Sequence, residues 1–362
     1  MTGVVSFTST ASDPYLRGRE LGAAQADRVA ATVAAYRRLW EWLEPGFDLA
    51  LWGDRALAAI EAQSPRAAEE IVGLADGAGR TAQEIAALNA RTEVLGAIAP
   101  RGAATECSTV VSTAPDRVPV AAQTWDWYPH MQGNWFVWRF PTAGGGQITT
   151  LTEYGVLAKI GVNDRGFGVM LNMLHHAADD QSAGGGDARI GFPVHVMLRT
   201  LLEDCTSVDE ARDLVRAASF SASSALTVVD RDGDTASLET YPGGVGEVKP
   251  EDGLLVRTNH FVSAEGEPGC QAGLVDDNSR VRRNHLLATL GHRPADGPPT
   301  SAADVRAALT HHDPAGPVCR HAGSPDDPDF SDLVDTATLA TITLDLERGD
   351  LDVLRGGPCG RS

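Results

Sequence analysis

The periodicity of the chain changes once, sharply, at residue 107, and few folds accommodate that change. Before it, apolar residues recur at helical spacing. Arg17 to Leu43 is rich in Ala, Arg, Glu and Leu, and Ala67 to Ala78 and Thr81 to Leu95 repeat the pattern. The last of these opens with a Thr cap followed by Glu84. Pro100, Arg101 and Gly102 end the helical regime. From Cys107 the chain alternates in short runs bounded by turn residues: Cys107 to Ala114, Val118 to Trp127, Asn134 to Phe140, Gln147 to Tyr154, Ala158 to Val162 and Phe167 to Met173. Helices return at Val194 to Glu203 and Val208 to Ala217, after a Gly-rich loop at Gly186 to Asp187. Strands follow at Ala225 to Val229, Thr235 to Thr240 and Leu254 to Arg257. Two more helices, Asn278 to Leu290 and Ala302 to Thr310, precede a hairpin of Ala337 to Leu344 with Leu351 to Leu354.

Helices and strands come in blocks and not in βαβ alternation. An α+β layered architecture is expected, and a Rossmann-like fold is disfavoured. The 362 residues are 43% hydrophobic and 22% charged, enough for a sizeable core. Net charge is −19, from 49 acidic and 30 basic residues, which argues against nucleic acid or an anionic membrane as partner. No run of 18 apolar residues occurs, and the start lacks the basic-then-apolar pattern of a leader, so a cytoplasmic protein is expected.

Five cysteines, Cys107, Cys205, Cys270, Cys319 and Cys359, are odd in number, widely spaced and without a C-x-x-C, which speaks against a disulfide framework. Four of them are expected to be small packing residues. Cys107 differs through its place in a hairpin. With Pro115-Asp116-Arg117-Val118 as the turn, Cys107 falls directly opposite Asp126, with Cβ atoms about 4.5–5.5 Å apart. A carboxylate raises a facing thiol's pKa, so the pairing is a poor one for a side-chain thiolate alone. It suits a Cys107 that carries a free α-amine, which the carboxylate orients and which serves as base for its own thiol. That requires a cut between Glu106 and Cys107. On these residues alone, a buried strand cysteine beside an unrelated aspartate remains open.

Ordered matches along the chain then add to this. Leu88-Asn89-Ala90-Arg91-Thr92-Glu93, Glu106-Cys107-Ser108-Thr109, Gln123-Thr124-Trp125-Asp126-Trp127, Lys159-Ile160-Gly161-Val162-Asn163, Leu171-Asn172-Met173-Leu174, Arg257-Thr258-Asn259-His260-Phe261, Cys319-Arg320-His321 and Gly357-Pro358-Cys359 together resemble the C45 peptidase family of N-terminal-nucleophile (Ntn) hydrolases, the acyl-coenzyme A:6-aminopenicillanic acid acyltransferase-like group. The resemblance implies a four-layer αββα sandwich made as a precursor. Residues 1–106 would form one subunit and 107–362 the other, within one structural domain. It implies Cys107 as nucleophile, Asp126 as partner of its amine, Asn259 as oxyanion donor, Asn172 beside the same hole, and an arginine near the carboxylate, for which Arg282 is the choice and Arg280 the second. Related bile salt and penicillin V hydrolases carry an arginine a few residues before the matching Asp; Gln123 stands in that neighbourhood here, which favours the acyltransferase-like branch.

Trp125, Trp127, Tyr128 and Trp135, part of a dense aromatic stretch, are candidates for an acyl-binding pocket or for sheet core. His311, His312, Asp313, Cys319 and His321 fit no standard zinc spacing, and neither metal nor cofactor is expected. The expected activity is hydrolysis or acyl transfer at a small-molecule amide or thioester, without nucleic-acid or membrane partners and with homo-oligomerisation left open. An acyl-coenzyme A-dependent N-acyltransferase, a metallohydrolase on the histidines and a non-enzymatic binding protein are the alternatives.

Overall fold

In the computed structural model, residues 3–99, 107–179, 189–273, 277–291, 300–323, 331–333 and 335–360 are described. Glu106 and the Gly186–Asp187 loop lie outside them.

The N-terminal block holds a short strand β1 (Ser6–Thr8) and six helices: α1 (Pro14–Ala24), α2 (Ala26–Leu43), α3 (Leu49–Gln63), α4 (Pro65–Ala78), α5 (Ala82–Asn89) and α6 (Arg91–Ile98). The long helix expected over Arg17 to Leu43 is two, broken at Gln25. Thr81 and Glu84 form the expected capping box, so α5 starts where the sequence puts it, but Ala90 interrupts the stretch before α6. α1 and α4 pack backbone to backbone: a Cβ at Gly18 would stand 2.1 Å from the Glu70 carbonyl oxygen, and one at Gly73 2.0 Å from that of Tyr15.

The remaining chain builds two sheets. In the larger, β1 pairs in parallel with β4 (Trp135–Pro141), and antiparallel strands follow in the order β5 (Gln147–Glu153), β6 (Ile160–Asn163), β7 (Phe167–Met173), β8 (Ser224–Asp230), β9 (Thr235–Tyr241) and β10 (Gly244–Val248). The smaller runs β11 (Leu254–Arg257), β2 (Ser108–Ser112), β3 (Val120–Trp127), β12 (Ala337–Asp345) and β13 (Asp350–Arg355). The strands β1 and β10 escape the sequence reading because they are too short or too glycine-rich to alternate visibly.

Helices α7 (Val194–Asp204) and α8 (Val208–Ala217) cover the outer face of the larger sheet. Helices α9 (Asn278–Gly291) and α10 (Ala302–Ala308) cover the smaller, and the sheets face each other through β2 and β7 and through β13 and β6. This is the αββα sandwich. One buried apolar core runs from Leu21 of α1 to Leu346 after β12, so the helical block and the sheets share an interior. A buried ion cluster also joins them: Arg17 of α1 meets Glu70 of α4 at 2.6 Å, and Glu70 meets Arg199 of α7 at 2.8 Å. No described helix is long and apolar enough to cross a membrane.

Candidate active site

The register of β2 against β3 corrects the hairpin reading by one residue. Ser108 pairs with Thr124 and Ser112 with Val120. The turn closes with the Arg117 N–H donating to the Ala114 carbonyl at 3.3 Å, and Asp116 adopts φ 57°, so the loop is displaced from the Pro115 to Val118 turn. The ladder extends from Cys107 toward Trp125, not Asp126. What Asp126 presents to the thiol is its backbone carbonyl, 3.8 Å from Sγ. Its carboxylate is fully buried beside Thr338 of β12 and within reach of the Arg282 charge, and neither oxygen has a well-formed hydrogen bond.

Cys107 sits immediately before β2, and three buried side chains hold its backbone. Its N–H donates to Asn259 Oδ1 at 2.9 Å. Its carbonyl accepts from Asn172 Nδ2 at 3.0 Å and from Arg282 Nη1 at 2.9 Å. Each of these is itself fixed. Asn172, on β7, accepts from Thr109 Oγ1 at 2.8 Å. Arg282, in the first turn region of α9, also donates to Ser108 Oγ, to Asn259 Oδ1 at 3.0 Å and to Asn278 Oδ1 at 2.6 Å. Asn259, just past β11, donates through Nδ2 to the Met173 carbonyl at 2.9 Å and through its backbone N–H to Ser279 Oγ at 2.8 Å. Arg280 instead pairs with exposed Asp277 at 3.0 Å. So β2, β7, β11 and α9 converge on one residue. Gln123 donates to the Leu171 carbonyl at 2.6 Å and stays in the sheet interior.

The thiol side faces a small cavity lined by Arg91, Trp125, Asp126, Trp127, Lys159, Leu171 and Met173. It has room for about one water. Trp125 and Trp127 line it. Tyr128 packs edge-on against Trp127 at 5.0 Å and Trp135 against Trp125 at 6.3 Å, so these two stand behind the wall.

Lys159 and its partners are the feature that sequence reasoning missed. The Lys159 ammonium lies 3.6 Å from the Trp125 ring centre and 3.1 Å from Glu153, which also binds Arg91 at 2.7 Å and Tyr36 at 2.6 Å. A signal existed: Lys159 is one of two lysines in the chain, the other being Lys249, and it stands at the edge of an apolar strand.

Burial governs the charges. It raises the Cys107 thiol to about 11, Asp126 adding to it, while Lys159 and Arg282 pull the other way. It raises Asp126 to about 7 against the opposing effect of Thr338 and Arg282. It lowers Lys159 to about 7, aided by Arg91 and opposed by Glu153. Glu153 is the exception: burial would raise it, but Arg91 and Lys159 hold it at about 2.

Comparison with known proteins shows the family of the chain. The sequence profile described as "Acyl-coenzyme A:6-aminopenicillanic acid acyl-transferase" matches residues 112–294, half of the chain. The chain belongs to that family. The matched stretch contains Asp126, Asn172, Asn259 and Arg282, and Cys107 lies just before it. The acyl-coenzyme A:6-aminopenicillanic-acid-acyltransferase 40 kDa form of Emericella nidulans is 31% identical over 228 residues, which is 62% of this chain and 60% of that protein. Among solved structures, the Caenorhabditis elegans ortholog of N-acylethanolamine-hydrolyzing acid amidase is similar at a TM-score of 0.47 and 14% identity, over 68% of this chain and all of that one. Penicillin V acylase from Agrobacterium tumefaciens is similar at 0.46 and 15%, over 69% and 83%.

Proposed function

We propose that the chain cuts itself between Glu106 and Cys107 and that the freed Cys107 is the nucleophile of a small-molecule amide hydrolase. The observation that carries the reading is the set of side chains on the Cys107 backbone. A cysteine that merely fills core needs no asparagine on its nitrogen and no asparagine and arginine together on its carbonyl.

The chemistry follows in two rounds. In the first, Cys107 Sγ attacks the Glu106 carbonyl carbon, the Glu106–Cys107 C–N bond breaks, and the proton on sulfur passes to the departing α-nitrogen. Water then hydrolyses the thioester, leaving Glu106 as a carboxylate. In the second, the α-amine takes the Sγ proton and the thiolate attacks the substrate carbonyl. The protonated amine returns a proton to the leaving amine, and water releases the acyl group. Asn259 Oδ1, which now accepts from the Cys107 N–H, stays in place to receive the free amine. Its expected role as oxyanion donor falls to the second Nδ2 hydrogen, the first being held by the Met173 carbonyl. Trp125 and Trp127 would form the acyl-facing wall. The name of the Emericella relative favours acyl transfer as a second reading, in which an amine replaces water in the last step; the net charge of −19 weighs against a polyanionic coenzyme A donor.

The test is the state of the chain. The 38.2 kDa precursor should yield pieces of about 11 and 27 kDa, in proportion to 106 and 256 of its 362 residues, with the larger beginning Cys-Ser-Thr-Val-Val. Cys107→Ala should remain a single, inactive chain. Processing at Glu106 in Cys107→Ala would overturn the proposal. Adding a competing amine to the assay separates transfer from hydrolysis.

A further inference from the structure

Beside Thr338 of β12, three stretches of chain meet: the segment after α10, the bend at 318–319 with the two residues that follow it, and the tail after β13. They bring His312, Cys319, His321 and Cys359 together, with one ligand-capable atom from each within 4.8 Å of every other. Linear spacing hides this, since Cys359 comes from the tail, 38 residues after His321.

Four of the six distances among these atoms have definite lengths, and the two from His312 to the sulfurs stay within 4.8 Å. His312 Nε2 stands 3.2 Å from His321 Nε2, Cys319 Sγ 3.5 Å from Cys359 Sγ, and His321 Nε2 3.7 and 3.4 Å from the two sulfurs. A tetrahedral zinc with bonds of about 2.3 Å to sulfur and about 2.05 Å to nitrogen requires edges of about 3.3 Å for N···N, 3.6 Å for N···S and 3.8 Å for S···S. Every one of the four distances lies within about 0.3 Å of its required edge. Hydrogen bonding does not explain the cluster. His321 Nε2 is approached by three atoms at once, yet a ring nitrogen offers a single proton or a single lone pair. A disulfide does not explain it either, because the sulfurs are far beyond the S–S bond length of about 2.04 Å.

The backbone holds the four in place. Val318 and Cys319 N–H both donate to the His311 carbonyl, at 3.0 Å each. Arg320, between two of the four, exchanges bonds with Thr338: its N–H donates to Thr338 Oγ1 at 2.9 Å, and its carbonyl accepts from the Thr338 N–H at 3.0 Å. A Cβ at position 357 would stand 2.3 Å from Cys319 Sγ, so only glycine lets the tail close over that sulfur.

We propose that His312, Cys319, His321 and Cys359 form a structural zinc site that staples the C-terminal tail to the segment beside Thr338. Both thiols lose their protons to solvent as the ion binds, the imidazoles bind neutral, and two thiolates balance the ion's two positive charges. Four protein ligands leave no open position, which fits a structural site and not a catalytic one. This proposal departs from the expectation that Cys319 and Cys359 are simple packing residues and that no metal binds.

The test reads metal, not activity, and so stands apart from Cys107 processing. The reduced full-length protein, supplied with zinc and freed of loose ions on a desalting column, should carry one zinc per chain by plasma mass spectrometry. Cys319→Ser/Cys359→Ser should carry none, and the control Cys205→Ser should keep it. Cobalt in place of zinc should show thiolate charge-transfer and tetrahedral ligand-field bands that vanish in the same double variant. If that variant does not fold, exposed His312→Gln serves instead and should release zinc to a chelator at least about tenfold more readily than the unaltered protein. A chain that takes up no zinc, a double variant that retains it, a Gln variant indistinguishable from the original, or a Cys319–Cys359 disulfide in freshly prepared reduced protein would each refute the site.

Discussion

Asp126→Asn gives a pH signature set by the burial of one carboxylate. Its carboxylate is 0% exposed and lacks a well-formed hydrogen bond, and burial moves its pKa from 3.8 to about 7. The folded state therefore holds a proton between those values that the unfolded state gives up. Stability from this group is fully present below pH 3.8 and is lost as pH rises through about 7. The shift of about three units corresponds to about 4 kcal/mol at about 1.4 kcal/mol per unit. The measurement is best made in a Cys107→Ala background, which keeps the chain whole. Denaturant unfolding of Cys107→Ala and of Cys107→Ala/Asp126→Asn should be compared at pH 4 and pH 8. Between those values the asparagine variant should gain about 4 kcal/mol relative to its parent. The fixed cost of burying an amide is the same at both pH values and cancels. If the difference between the two proteins is constant with pH to within about 1 kcal/mol, the carboxylate is solvated or paired and the reasoning fails.

Further predictions concern the residues around it. Asn259→Asp keeps an acceptor for the Cys107 nitrogen but removes the Nδ2 donor, so processing should survive while turnover on a working amide falls about 10²–10³-fold; unchanged turnover would remove Asn259 from the oxyanion hole. Glu153→Gln strands buried Arg91 beside Lys159 and should destabilise the fold by about 3–5 kcal/mol in urea unfolding. A loss under about 1 kcal/mol would show that the cluster does not hold the helical block to the sheets. Because Glu153 sits at about 2 when folded, its contribution is present above its ordinary value of 4.5 and is lost as pH falls toward 2.

The parts legible in the sequence were those with a strong local period. Phe167 to Met173 and Leu254 to Arg257 match their strands end for end, and Thr81 with Glu84 marks a helix start through a purely local bond pattern. The α+β class followed from the blocks of elements, whereas the αββα layer order came from the family resemblance. Illegible were features decided by contacts distant in sequence or by one residue's backbone. The β2–β3 register slipped by one because Asp116 takes a positive φ, which no periodicity records. The Cys107 clamp draws on Asn172, Asn259 and Arg282 from three elements, and family resemblance, not spacing, pointed to them. The Arg91–Glu153–Lys159 cluster was hidden because its charged residues lie on separate elements and look, one by one, like ordinary surface charges. The His312–Cys359 cluster closes across two turns and a hairpin.

The electrostatics of the intact chain bear on why cleavage would have to come before chemistry. Burial holds Cys107, Asp126 and Lys159 away from their charged forms, at about 11, 7 and 7. The cavity beside the thiol admits about one water and no substrate. A protonated thiol among half-charged neighbours is a weak nucleophile. Breaking the Glu106–Cys107 bond changes two of these conditions together. The amide nitrogen on Asn259 becomes an amine, the first group on Cys107 able to take the thiol's proton. When that amine is charged it also favours the Asp126 carboxylate, which has no well-formed partner in the intact chain. In the proposed enzyme the peptide bond is thus the lock on the charges of the site, and one cleavage gives the thiol a base and the carboxylate a partner.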